Sequence, residues 1–227
     1  AKHDQFQDSI LGPILKSSIT ERYLQSARYR WLLLLGLPIS FIAVSWYGFT
    51  IGILLPDISR DLGLRPAAEG LLSASFFLGQ FLFTIPISSW FAKYPPVRTW
   101  AMTLAAITVL LLASAMISNY WAQTGFRFAI AVLFVVSQPV RTLLIGNWFR
   151  TEEVADANGV FNAGHVLIEA IAFWATAPLL QLLGGWRRMM WLFTALSVAS
   201  TVLWTFFARD VDAPPSQRST TSTDTRS

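Results

Sequence analysis

The chain of 227 residues contains no cysteine. That excludes disulfides, thiolate nucleophiles and cysteine-held metals. It has only two histidines, His3 and His165, too few and too far apart for a zinc site, so no metal is expected. No glycine-rich phosphate loop and no nucleophile–base pair appears either, which argues against an enzyme and leaves no cofactor to expect. Charge is scarce. Asp, Glu, Lys and Arg make up 13% of the chain, where a soluble domain carries about 25%. The net charge of +4 is spread along the chain in a way that follows topology, so nucleic acid is not an expected partner.

What the chain has is apolar length. It is 54% hydrophobic, and six long apolar stretches separated by short polar gaps fill most of 31–207. A bilayer core needs about 20 consecutive apolar residues per spanning helix. Stretches 31–55, 70–92, 100–117 and 189–208 carry no charge. Two more, near 123–148 and 157–183, contain Arg127, Arg141, His165 and Glu169. The solvent of such a chain is lipid, and the ionisable groups inside it are where function is sought. Many of the 10 tryptophans fall near expected helix ends, Trp31, Trp90, Trp121 and Trp148 among them, as in an interfacial aromatic belt.

With six spans and a cytoplasmic amino terminus, eleven Lys and Arg lie on inner segments, Lys93, Arg98 and Arg150 among them. Four, Arg60, Arg65, Arg187 and Arg188, lie outside. The positive-inside rule therefore predicts both termini in the cytoplasm, with anionic lipid headgroups as partners of the basic residues. Residues 1–30 read as a cytoplasmic leader without a signal-peptide core. Ile10, Leu11, Ile14, Leu15 and Ile19 there suggest a short surface helix interrupted at Gly12-Pro13. Residues 31–208 read as an all-α, six-helix transmembrane bundle. Residues 209–227, rich in Pro, Ser, Thr and Asp, read as a disordered tail or linker. The first helix is expected to end near Pro56, with an outer loop over 57–68.

Polarity enters the lipid in two stripes. On the fifth helix Asn158, Asn162, His165, Glu169 and Thr176 fall within about 40° of one direction at 100° per residue. A polar stripe at that depth faces other helices or a water-filled path. Interhelical hydrogen bonding is the plain alternative. On the fourth helix Arg127, Ala131, Gln138 and Arg141 align in the same way. Arg127 is expected either to snorkel toward the outer surface or to form an anion site, its fork of donors suiting carboxylates. A stretched pair with Glu169 is a further expectation. Gln80 on the second helix and Tyr47 on the first are candidates for cavity lining.

Several segments together resemble the amino-terminal half of the major facilitator superfamily. The stretch from Pro56 through Asp61-Leu-Gly-Leu64 resembles its first outer loop, and Glu69–Gln80 its second helix. Asn147-Trp-Phe-Arg150, with Ala157-Asn-Gly159, resembles the inner loop between helices four and five. Ala177-Pro178 and Gly184-Gly-Trp-Arg187 resemble the end of helix five and the turn after it. The signature between helices two and three departs from the family: Lys93 and Arg98 stand at basic positions, Ala92 replaces the aspartate, and Pro95 takes a glycine position. Arg127 matches the family's helix-four arginine, but Ala131 stands where its glycine follows.

The resemblance implies a multi-pass secondary transporter in a cell membrane, a symporter of the bacterial inner membrane, moving a small anionic organic solute with protons. Glu169 and His165 would handle the proton. Arg127, Gln138, Asn162, Gln80 and Tyr47 would bind or line the path of the solute. The family has two six-helix halves with substrate between them, so the expected partner is a second six-helix half or another copy. A non-transporting membrane interaction protein that pairs with another subunit is the alternative.

Overall fold

A computed structural model describes residues 30–91 and 93–208. The expected leader helix and the polar tail lie outside the described residues, as does Ala92. Among the described residues there are eight helices and no strand: α1 (Arg30–Phe49), then α2 (Ile51–Leu62), α3 (Pro66–Phe91), α4 (Pro96–Met116), α5 (Tyr120–Val135), α6 (Ser137–Trp148), α7 (Val154–Leu183) and α8 (Trp186–Phe207). They make six antiparallel spans, because α1 continues into α2 and α5 into α6 across single-residue breaks at Thr50 and Val136. The fold is all-α, as the apolar run lengths require.

Two helix ends differ from the sequence reading. The first span does not stop near Pro56. Pro56 lies inside α2, which runs to Leu62 and closes at Gly63 in the left-handed region, Leu64 N–H donating to the Ser59 carbonyl at 3.0 Å. The expected loop over 57–68 shrinks to 63–65. Proline lacks only one donor, and a helix continues past it where its neighbours hold the chain. The fourth span is not one straight helix. Pro139 has no N–H for the Val135 carbonyl, and the ladder tightens to a Val136 N–H to Leu133 bond at 3.1 Å. That kink destroys the single stripe drawn from Arg127 to Arg141.

The first span is the axis of the bundle. Leu34, Leu37, Val44 and Leu54 are fully buried. Phe41 stacks on Trp100 of α4 at 4.4 Å and meets Phe134 and Phe161 edge-on. The Trp100 indole N–H donates to Ser40 at 2.8 Å. Helices α4 and α8 are zipped by hydroxyls, Thr108 lying 2.7 Å from Ser197 and 3.1 Å from Thr201. Small hydroxyl residues permit this approach where lipid supplies no drive for helices to associate. Helix α3 packs tightest on α5 at Gly79, where an added Cβ would sit 2.8 Å from the Phe128 carbonyl and 2.9 Å from Ala131 Cβ. The alanine in the helix-four motif is thus met by a glycine across the interface. Helix α7 is the most open span, with Trp174 and Leu182 about four-fifths exposed.

Candidate functional site

Arg127 is 1% exposed, so it neither snorkels nor faces α7. Its Nη2 donates to the Gly48 carbonyl at 2.6 Å and its Nη1 to the Tyr47 carbonyl at 3.2 Å. The choice of carbonyls follows from the break in the first span. Thr50 gives both its N–H and its hydroxyl to Trp46 O, at 3.2 and 2.5 Å, and the α-helical ladder resumes only with donors to Thr50. Side-chain competition of this kind loosens a helix. Tyr47 and Gly48 then face outward from a helix end with unfilled acceptors, and a cation at a helix carboxyl terminus satisfies both the acceptors and the dipole. The guanidinium also lies over the rings of Tyr47 at 5.1 Å and Phe76 at 5.2 Å. Gly48 is needed here, since a Cβ would fall 2.4 Å from the fully buried Phe76 ring. Tyr47 is 3% exposed and belongs to this packed node.

The expected pair between Arg127 and Glu169 does not form. Glu169 pairs with His165 one turn back on α7, Oε1 to Nε2 at 3.2 Å, and both side chains are half-buried. The imidazole stacks on Phe161 at 5.7 Å and meets Phe41 edge-on at 5.9 Å. Arg141 of α6 lies over Phe161 at 5.0 Å and reaches Asn162 Oδ1 at 3.5 Å. It is also the neighbouring cation that acts on His165. At the ends of the stripe the polar groups are spent on structure. Asn158 donates to the Val154 carbonyl at 2.9 Å, and the buried Thr176 accepts the Trp46 indole N–H at 2.7 Å. Between them, a cavity of about 320 Å³ opens beside the break in the first span, lined by Ser45, Trp46, Phe49, Thr50, Glu169 and Phe173.

The remaining candidates scatter. Gln138 is exposed just past the kink, so it no longer shares a face with Arg127. Gln80 on α3 is half-buried, its Nε2 without a partner among the described residues. The structure therefore gathers His165, Glu169, Asn162 and Arg141 into one polar wall and leaves Arg127 and Tyr47 in a separate buried one.

Two clusters were not singled out from sequence. Arg30 donates to the Trp148 carbonyl and lies 3.7 Å from Glu153, tying the start of α1 to the α6–α7 turn. At the opposite end of the bundle Asp61 Oδ2 accepts from Arg187 at 2.8 Å and 3.2 Å and from the Trp186 indole at 3.1 Å. The hydrogen bond from Arg187 holds the Asp61 carboxyl below the usual carboxylate range, with Trp186 adding to it. Asp61 sits in the segment from Pro56 to Leu64, and Trp186 and Arg187 in the Gly184-Gly-Trp-Arg187 turn. The signal was in two of the quoted motifs, and only the pairing between them was missing.

Residues 39–226 match the family model described as Major Facilitator Superfamily. A quinolone resistance transporter of Acinetobacter baumannii is 26% identical over 67% of this chain and 36% of its own length. A probable galactarate/D-glucarate transporter of Escherichia coli is 23% identical over 83% of this chain and 42% of its own. Crystal structures of a bacterial homologue of the human lysosomal transporter Spinster, inward-facing, share the fold at 19% identity over 82% of this chain. The unoccupied form gives a TM-score of 0.66 over 44% of that chain, the occupied form 0.71 over 45%. The chain spans less than half the length of each of these proteins.

Proposed function

The chain belongs to the Major Facilitator Superfamily, and we propose that it forms one wall of a proton-coupled secondary transporter for a small organic solute. The observation that carries this reading is the His165–Glu169 pair, half-exposed at mid-span on the most open helix and beside a cavity. A carboxylate at that depth is costly unless paired or protonated, and an imidazole at 3.2 Å offers both states. Arg141 with Asn162 supplies the cation that a carboxylate on the solute would meet. Arg127 keeps the first span bent, so that the cavity beside Thr50 stays open. Gln138 and Gln80 border the path near its ends. The exposed apolar faces of α3 and α7, with Ile85 and Trp174 at their centres, are where a second six-helix half or a second copy of the chain would close it. The orientation with both termini cytoplasmic follows from the basic residues.

The absence of cysteine makes the test direct. Single cysteines are placed at 162, 165 and 169, and at 167 and 174 as controls, in the full chain in proteoliposomes. Labelling with a membrane-impermeant maleimide is expected at the first three and not at the controls. Uptake of labelled galactarate and of a fluoroquinolone, each driven by an imposed pH gradient, then probes transport. Inert positions 162, 165 and 169, together with no gradient-dependent flux, overturn the reading and favour a scaffold that only pairs with a membrane partner.

A further inference from the structure

The seam between the first and last spans holds an apolar groove of about 420 Å³. Leu32, Gly36 and Ile39 of α1 form one wall, and Leu203 and Trp204 of α8 the other. Both walls lie at the end of the bundle where the described chain begins and ends, since α1 starts at Arg30 and α8 stops at Phe207. Eight residues at 1.5 Å each make about 12 Å, close to the depth of one leaflet in a hydrocarbon core of about 30 Å. The polar side chains on the walls are already spent. Ser40 donates to the Leu37 carbonyl at 2.7 Å and accepts the Trp100 indole N–H at 2.8 Å. Ser200 reaches the Ile39 carbonyl at 3.5 Å, and the Trp204 indole N–H donates to the Val97 carbonyl at 3.2 Å. Among the described residues, no lining side chain keeps a polar group for a polar solute, so the groove suits hydrocarbon.

Two further observations name the occupant. Glycine inside a helix is costly relative to alanine, and close approach of a neighbour is the usual reason for one in a membrane. Yet no protein atom lies within 4 Å of a Cβ built at Gly36. The neighbour that comes close there is not part of the described bundle. The second observation is charge at the mouth of the groove. Arg98 follows Val97 in the first turn of α4, is exposed, and its guanidinium has no partner among the described residues. Arg30, by contrast, is engaged with Glu153 and the Trp148 carbonyl. We infer that the groove seats one acyl chain of an anionic phospholipid, with the headgroup phosphate at Arg98. A tail gains no hydrophobic drive by moving from bulk lipid into a groove. The seat therefore depends on packing against Gly36 and on headgroup charge, which is worth about fivefold per basic residue. A tail held there packs α8 against α1 and stabilises the bundle. The groove shares no wall residue with the cavity at Glu169, and the inference stands without the transporter reading.

The test uses the full chain in phosphatidylcholine proteoliposomes that contain a little phosphatidylglycerol with a diazirine at mid-chain. After photolysis, peptide mass spectrometry is expected to find adducts at Leu32, Ile39 and Leu203 that unlabelled phosphatidylglycerol competes away. Met102 and Val109 of α4, both 64% exposed, are the controls, where only labelling that does not saturate is expected. Gly36→Leu fills the groove and should reduce the three adducts to the level of the controls. Arg98→Gln should weaken competition by phosphatidylglycerol about fivefold, to that of phosphatidylcholine. In detergent, phosphatidylglycerol should raise the melting temperature of the unaltered chain and leave that of Gly36→Leu unmoved. Should Gly36→Leu not fold, the competition experiment on the unaltered chain decides alone. No adduct at Leu203, or labelling that saturates no better in the groove than at Met102 and Val109, overturns the proposal in favour of ordinary boundary lipid. Equal competition by the two lipids in the unaltered chain, or an equal rise in melting temperature in Gly36→Leu, overturns it as well.

Discussion

Arg127 and Glu169 are both ionisable groups at the depth of the hydrocarbon core, yet the structure treats them in opposite ways. Arg127 is sealed, and both of its hydrogen bonds go to main-chain carbonyls that a bent helix leaves vacant. Glu169 is half-open, its partner is a titratable side chain, and a cavity adjoins it. A charge held by main-chain carbonyls and packed between aromatic rings is fixed in place and holds shape. A charge whose partner can itself change protonation has several states and can do work. The kind of partner, more than the depth, separates the two roles.

The sharpest way to break that contrast is to remove the sealed charge. Arg127→Leu leaves the Tyr47 and Gly48 carbonyls buried without donors, at about 1–3 kcal/mol each. Since 1 kcal/mol moves the melting temperature of a domain this size by about 2–4 °C, the loss in detergent should approach ten degrees. Arg127→Lys should recover only part of it, because an ammonium cannot bridge two carbonyls and cover two rings. If Arg127→Leu melted within about a degree of the unaltered chain, the two charges would not differ in kind.

Glu169→Gln is the complementary experiment. The amide keeps the shape and a hydrogen bond to His165, so stability should stay within about 0.5 kcal/mol of the starting chain, as for changes outside the core. The pH dependence of flux in proteoliposomes should disappear. A variant that instead lost stability and kept its pH profile would reverse the assignment of roles.

How much of this was legible in the chain depends on which physics sets each feature. The six spans were readable because run length against bilayer thickness is a one-dimensional quantity. The fifth-helix stripe was readable because α7 runs unbroken past residue 158 to Thr176, so angular bookkeeping stays valid. The fourth-helix stripe was misread for the converse reason. Pro139 resets the helix phase, and residues on either side of it cannot share one wheel. The Arg127 hook was invisible because its partners are carbonyls, which every residue carries and no sequence motif marks. The Trp46–Thr176 bond was half-visible: Thr176 stood on the polar stripe, but nothing in the chain announced an indole from the first helix as its donor.

That bond joins the two regions, since Trp46 borders both the bent helix end and the cavity. Thr176→Val leaves the indole N–H without an acceptor. Measured couplings between polar groups inside membranes average about 0.6 kcal/mol, and an unsatisfied buried donor costs somewhat more, so a loss near 1 kcal/mol is expected. A cycle with Trp46→Phe checks it: once the donor is gone, the threonine change should add little.

The smallest effect lies outside the lipid, at Asp61. Its carboxyl, held by Arg187 and Trp186, ionises more readily in the folded chain than in the unfolded one. The contact therefore stabilises the fold fully above the ordinary aspartate value near 3.9 and fades as pH falls through the lower folded value. Because Asp61 is exposed and such pairs are screened, the melting temperature should shift only slightly at neutral pH. Asp61→Asn should instead flatten the acid limb of the stability curve below about pH 4, and 1 M salt should mimic it in the unaltered chain. Amide exchange at the α2 end and in the turn before α8 is the most local readout. A change there that ignored both pH and salt would mean that this end of the bundle is held by Trp186 packing and not by charge.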